Sequence, residues 1–205
     1  MKLYDSRLAP NPRRVRVFMA EKGIEDLEVV QVDLMKGEQR DPDYVKKVGV
    51  PMAPALELDD GTVITESVAI CRYLESVYPE PNMFGRDPKE TAIIEMWMRR
   101  AEMLLATPLM LAVRHGHPAL AVMEKQIPEV AESNRAGAER SLKLFERQLA
   151  QHPFIAGDRI TIADLVAICG LDFSRMVKFE PAEGLVNFRR WMDAMRARPS
   201  AAAGR

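Results

Sequence analysis

Apolar and polar residues alternate element by element over the first part of the chain. Lys2 to Asp5 has the short alternation of a strand, and Val15 to Lys22 has the apolar clustering of a helix that stops at Gly23, a residue suited to a left-handed terminator. Glu28 to Leu34 is rich in β-branched residues and reads as a second strand. A strand-helix-strand unit of about 35 residues predicts parallel pairing through a crossover. Lys36 to Lys47 is charged and poorly periodic and reads as a connection. Asp60-Gly61 lies between the runs Ala55 to Asp59 and Thr62 to Thr65 and predicts a hairpin. From Glu66 a helix follows, with Val68, Cys71, Leu74, Val77 and Tyr78 three and four residues apart.

Pro79, Pro81, Gly85 and Pro88 then crowd together, and proline this dense does not continue a helix. Beyond them the strand pattern vanishes. Thr91 to Leu105 and Lys125 to Leu149 read as helices, the second carrying Ile127, Val130, Asn134, Ala138, Leu142, Phe145 and Leu149 near the helical period. Thr161-Ile162-Ala163-Asp164 has the pattern of a capping box, with Ile160 and Leu165 as its apolar flanks, and predicts a buried helix through Val166, Ile168 and Cys169. The expected organisation is an α/β domain over 1–79, a linker over 80–89 and an all-helical domain over 90–205.

Composition narrows the function classes. A chain of 205 residues with 47% apolar and 29% charged residues is globular rather than disordered. Its 29 basic and 30 acidic side chains give a formal net charge of −1, so there is no overall field to hold a phosphate backbone or an anionic lipid surface, and nucleic acid and membrane are not expected partners. The most apolar stretch, Met103 to Val113, is interrupted by Thr107-Pro108 and is too short to cross a bilayer, which takes about 18 residues or more. Met1 to Tyr4 runs into Asp5 without the apolar region of a secretory leader. Cys71 and Cys169 are too few and too far apart for a disulfide framework, a redox pair or a zinc site. His115 and His117 have no acidic or cysteine partners at ligand spacing, so no metal is expected. The setting expected is cytoplasmic.

Three motifs in order carry a family resemblance. They are Pro54-Ala55-Leu56-Glu57-Leu58-Asp59-Asp60-Gly61-Thr62, then Thr65 to Leu74 beginning Thr65-Glu66-Ser67, and then Ala156-Gly157-Asp158 with Thr161 to Leu165. With them, nearly the whole chain resembles the cytosolic glutathione S-transferases. The resemblance implies a thioredoxin-like N-terminal domain that binds glutathione and an all-helical C-terminal domain that supplies the electrophile pocket. It further implies glutathione as co-substrate, a small hydrophobic electrophile as partner and a homodimer. Pro54 is expected to be cis, turning the Ala53 backbone outward to pair with the cysteinyl unit of glutathione in the manner of an added strand. At Glu66-Ser67 a helix N-terminus offers free N–H groups to the γ-glutamyl carboxylate, with the Ser67 hydroxyl assisting, and the Glu66 carboxylate pairs with the ammonium.

The chain departs from its relatives where the thiol is activated. Related proteins present a hydroxyl or thiol from the loop after the first strand, here Ser6 to Val15, and hydrogen bonding to the thiolate lowers the glutathione pKa. The matching positions fall on Ala9 or Pro12, neither of which has a side-chain donor. The remaining candidates are Asn11 together with backbone N–H groups around Arg13-Arg14, then Ser6, then Tyr4, which also reads as a strand residue packed beneath a helix. Arg13, Arg14 and Arg16 read as a solvated helix face or a positive potential flanking the site. A second departure is Met52, where relatives carry a side chain that binds the glycyl carboxylate; Gln39 and Arg40 are the candidates to replace it. Trp97, Met103, Leu104, Met110, His115 and Phe173 are candidates for the electrophile pocket, and thirteen methionines suit an adaptable apolar surface. Two further readings share the same binding motifs: a non-catalytic glutathione or hydrophobe binder, and a glutathione-dependent isomerase or dehalogenase.

Overall fold

The computed structural model describes residues 1–203. They form two compact units, Met1–Pro81 together with the residues from Pro199 onward, and Asn82–Arg198.

In the first unit a four-stranded sheet has the order β2-β1-β3-β4, formed by β1 (Lys2–Asp5), β2 (Glu28–Gln31), β3 (Ala55–Glu57) and β4 (Val63–Thr65). The crossover pairs β1 with β2 in parallel, Leu3 opposite Val29, while Leu3 faces Leu56 across an antiparallel pair. The hairpin joins β3 to β4, with Leu56 opposite Ile64, and the Asp60 carboxylate accepts from the Thr62 N–H at 2.8 Å to fix the turn. Helix α1 (Pro10–Lys22) starts five residues earlier than its apolar clustering predicts. Proline is tolerated in a first helical turn, where its missing N–H would have no partner, so Pro10 and Pro12 begin the helix rather than preclude it. The stretch read as a connection contains helix α2 (Pro42–Val48), N-capped by Asp41 and closed by Gly49 at φ 84°. Helix α3 (Ser67–Val77) follows β4 directly.

Tyr4, Val32, Val48 and Ala55 form a core on the α2 face of the sheet, with Tyr44 packed against it. Strand alternation turns Leu3 and Leu56, both fully buried, to the opposite face. Helices α1 and α3 pack on each other, and their polar links define their direction. Arg14 near the start of α1 meets Ser67 at the start of α3, and Lys22 at the end of α1 pairs with Glu75 late in α3 at 2.7 Å. The two helices therefore run parallel, and their N-termini open on the same edge of the unit. This unit is the thioredoxin-like layer that the sequence resemblance implies. The last residues of the described chain, from Pro199 to Ala202, lie against α1: Ser200 donates to Glu21, and Arg13 donates to the Ala201 carbonyl.

The second unit is helical, comprising α4 (Pro88–Ala101), α5 (Thr107–Gly116), α6 (Pro128–Leu149), α7 (Ile162–Ser174) and α8 (Val186–Arg196). The helical path does not break at Thr107-Pro108. A π-helical turn over Glu102–Ala106 carries α4 into α5. Pro108 has no N–H for the carbonyl four residues back and its ring needs room there, which a widened preceding turn supplies. Gly170 of α7 lies against this turn, where an added Cβ would stand 2.7 Å from the Ala106 Cα. The capping box forms as read: the Thr161 N–H donates to the Asp164 carboxylate at 2.9 Å. Asp164 is fully buried and also accepts from the Ile155 N–H and the Trp191 indole, so one carboxylate ties a loop, α7 and α8 together. Burial pushes its carboxyl pKa up, while these donors pull it the other way. Cys71 and Cys169 are both buried, one in each unit. No helix among the described residues is long and apolar enough to cross a membrane.

Candidate functional site

Helix α3 begins in an unusual way. Glu66 precedes it at φ 66°, ψ 114°, a conformation a non-glycine residue holds only when its surroundings enforce it, and no side chain caps the helix. Thr65, Glu66 and Ser67 are therefore not spent on ending the helix. The N–H groups of its first turn and the positive end of its dipole remain available for an anion. Glu66 is exposed, whereas Ser67 is buried and accepts a hydrogen bond from Arg14 Nη1 at 2.6 Å. With its oxygen so engaged, the Ser67 hydroxyl proton is free to be donated.

The Ala53–Pro54 peptide is cis, as the resemblance implies, and a second cis bond joins Glu80 to Pro81. Ala53 is half-buried and takes no part in the backbone hydrogen bonds of the described turns and loops. Its N–H and C=O are thus left for an extended ligand. The segment before it is held by the Tyr44 hydroxyl, which donates to the Met52 carbonyl at 2.7 Å, while the Met52 side chain is exposed.

The loop after β1 is more constrained than the sequence suggests. The Arg13 N–H bonds to the Ala9 carbonyl, so the backbone donors expected around Arg13-Arg14 are already within the helix. Pro10 and Pro12 have no N–H, which leaves Asn11 as the backbone donor of the first turn. The Asn11 side chain adds a second polar group, its Oδ1 buried without a partner. Ser6 is nearly enclosed and its carbonyl accepts from the Ala9 N–H. Tyr4 is excluded from thiol chemistry by its contacts. It packs on the α2 face, edge-on to Tyr44 at 5.8 Å, and its hydroxyl donates to Glu57 at 2.5 Å. Burial and the Glu57 carboxylate both raise its pKa, the reverse of what an activating phenol needs.

The arginine cluster is not a solvated face. Arg14 is 2% exposed, and Arg16 is paired with Asp5, itself buried. Sequence reasoning named Arg14 for its backbone and as one of three similar arginines, without singling out its side chain. Three neighbouring arginines on one short segment look alike until the helix start is known, and only then does the helical rotation show which one turns inward. Of the two candidates for the glycyl carboxylate, Gln39 is enclosed, with Oε1 buried and unpartnered, and Arg40 is exposed.

The helical-unit candidates divide by burial. Trp97 belongs to the core, 6% exposed, its ring 6.0 Å from Phe145 and covered by Arg100 at 4.6 Å. An indole this enclosed leaves little surface for a ligand. Met103 and Leu104, on the π-helical turn, are exposed, and Met110 and Phe173 are half-buried. The imidazole of His115 is committed through Nδ1, which accepts from the Ile127 N–H at 3.2 Å and holds the loop before α6.

Comparison with known proteins identifies the family. Residues 3–82 match the N-terminal domain of glutathione S-transferase, and residues 103–199 match its C-terminal domain. Glutathione S-transferase 2 of Saccharomyces cerevisiae is 35% identical over 98% of this chain and 87% of its own length. Glutathione S-transferase 3 of Zea mays is 30% identical over 98% of this chain and 90% of its own. Among solved structures, Gtt2 of Saccharomyces cerevisiae superposes with a TM-score of 0.93 at 34% identity, covering all of both chains. A glutathione S-transferase domain-containing protein of Marinobacter aquaeolei gives 0.92 at 37% identity, covering 98% of this chain and 99% of its own. The chain belongs to the glutathione S-transferase family.

Proposed function

We propose that this glutathione transferase holds the γ-glutamyl end of glutathione at Glu66-Ser67, pairs its cysteinyl backbone with Ala53 at the cis-Pro54 bend, and keeps its sulfur as a thiolate beside Asn11. The observation that carries this reading is the uncapped start of α3. Its N–H groups and the Ser67 hydroxyl suit a carboxylate, while the exposed Glu66 carboxylate suits the ammonium beside it. Arg40 is the exposed cation offered to the glycyl carboxylate. The hydrophobic co-substrate is taken by the helical unit, where Met103, Leu104 and Met110 present flexible thioether and aliphatic surface. The chain functions as a cytoplasmic homodimer, as is usual in the family.

The chemistry asked of the protein is small. A free thiol has a pKa of about 8.5, and each unit of depression corresponds to about 1.4 kcal/mol of preferential thiolate stabilisation. The Asn11 side-chain amide, together with its backbone N–H and the positive end of α1, provides such stabilisation where relatives use a side-chain hydroxyl or thiol. The thiolate then attacks the electrophile directly, and proximity supplies the rest of the acceleration. The absence of a side-chain donor at Ala9 and Pro12 favours one alternative, a binder that holds glutathione without activating it.

Ultraviolet thiolate absorbance of bound glutathione against pH decides between them. The transferase reading expects a thiol pKa below the free value and a partial return toward it in Asn11→Ala, with Ser6→Ala unaffected. An undepressed pKa in the wild-type protein leaves the binder. A depressed pKa that Asn11→Ala does not change removes the Asn11 side chain from the assignment.

A further inference from the structure

The segment that carries Ala53 has little of its own to hold it in place. Val50 packs against the core on the α2 face and Ala55 begins β3, but Pro51 and Met52 between them are exposed. Pro51 and Pro54 have no N–H, and none of Val50 to Pro54 takes part in the backbone hydrogen bonds of the described turns and loops. A stretch without backbone pairing has little to keep its peptide planes in one orientation. The hydrogen bond that reaches into it comes from Tyr44, whose hydroxyl donates to the Met52 carbonyl at 2.7 Å. Tyr44 is built as a stiff arm for this contact. Its N–H is accepted by the Asp41 carboxylate that caps α2, at 3.3 Å, and its ring stands edge-on to Tyr4, the two planes 88° apart. Gly49, at φ 84°, turns the chain after α2 and lets residue 52 come back to the first turn of that helix.

We propose that Tyr44 is a positioning residue for glutathione binding, which fixes the Met52 carbonyl and thereby aims the Ala53 N–H at the cysteinyl backbone of the ligand. This rests on the glutathione reading above and deepens it with a residue that acts through its neighbour. The Met52 carbonyl and the Ala53 N–H belong to one planar peptide unit, and this bond is trans, so the two groups point in opposite directions. Holding the carbonyl toward α2 therefore turns the N–H away from α2, as an added strand requires. A carbonyl that accepts a hydrogen bond also polarises its own peptide, which makes the N–H on the far side a better donor. A phenylalanine at this position keeps the ring and loses both effects.

The test uses a ligand that lacks the group the Ala53 N–H would meet. Wild-type protein and Tyr44→Phe are titrated calorimetrically with glutathione and with an analogue in which an (E)-alkene replaces the cysteinyl-glycine amide, so that no carbonyl is left to accept. Each protein is also melted without ligand. Tyr44→Phe is expected to bind glutathione about 3-fold to 10-fold more weakly, as for one hydrogen bond no longer well aimed, while the two proteins bind the alkene within about twofold of each other. Hydrogen exchange of the glutathione complexes, followed by NMR, should show the Ala53 amide protected in the wild type and less protected in the variant, with α7 amides alike in both. Unchanged glutathione affinity in Tyr44→Phe overturns the proposal, whatever its melting temperature. An equal loss for glutathione and the alkene overturns it too, because that marks a general loosening of the unit. If Tyr44→Phe does not fold, the wild type decides: an Ala53 amide that glutathione leaves unprotected overturns the proposal. Wild-type protein that does not bind glutathione overturns the underlying reading as well, an outcome distinct from a variant that binds as the wild type does.

Discussion

At the scale of single residues, Tyr4 shows how position can remove a side chain from the chemistry that its type invites. A tyrosine near the end of the first strand is a natural candidate for holding a thiolate, but alternation places it on the α2 face, with its hydroxyl donating to Glu57. Tyr4→Phe is therefore expected to leave the thiol pKa of bound glutathione unchanged while lowering stability by about 1 kcal/mol for the lost hydrogen bond, measured by urea unfolding. Its neighbour Tyr44 has a pKa pushed up to about 12, first by burial and then by the Tyr4 hydroxyl. Between pH 10 and 12 the unfolded chain releases the Tyr44 proton and the folded one retains it, so stability falls as pH rises through that window. Tyr44→Phe should flatten this alkaline decline, read as the urea midpoint against pH. The residues proposed to meet glutathione were partly legible beforehand. Glu66, Ser67 and Pro54 stand in motifs, whereas the enclosure of Arg14 beside Ser67 was not legible, because it depends on where α1 begins. A pattern of apolar positions that starts at Val15 says little about that start, since the first turn is built from prolines, an asparagine and an arginine.

At the scale of elements, the parallel packing of α1 and α3 does more for the site than either helix alone. Both N-termini open on one edge, so the end of α1 proposed to face the sulfur and the end of α3 proposed to face a carboxylate have the same electrostatic sign. The sheet, the hairpin and the buried α7 were legible from alternation, Asp-Gly and the capping box, all local signals. Helix α2 was missed although Asp41-Pro42 and Gly49 mark its two ends, because seven residues with three charges give too little periodicity to read. The continuous path from α4 to α5 was not legible for a different reason. Pro108 is a helix breaker by local rules, and the widened turn that makes room for it, with Gly170 packed closely against that turn, emerges only in the fold. Gly170→Ala is expected to cost about 1–3 kcal/mol by overpacking against Ala106, and Ala106→Gly in the same chain should recover part of that loss. Thermal unfolding of the two single variants and the double variant checks the coupling; additive losses would place the strain elsewhere.

At the scale of the molecule, residues far apart in sequence complete one another. The N-terminal unit includes Pro199 to Ala202, where Ser200 and Ala201 are buried against α1 and Arg13 reaches the Ala201 carbonyl. This return could not be read from sequence: the segment is short, rich in alanine and lacks periodicity, so the 90–205 span was expected to be one helical domain. Ala201→Asp places a charge against α1 and is predicted to speed hydrogen exchange of α1 amides while leaving those of α7 protected. Equal loosening of both helices would show that the segment does not act on the first unit in particular. The same contact bears on the order in which the protein is made. Pro10 to Lys22 is synthesised well before one of the surfaces that cover it, which is added about 180 residues later, at a few to tens of residues per second. For most of that interval α1 must keep its uncovered side in water or on a chaperone. Growth of the chain from its N-terminus therefore begins this unit long before it can finish it.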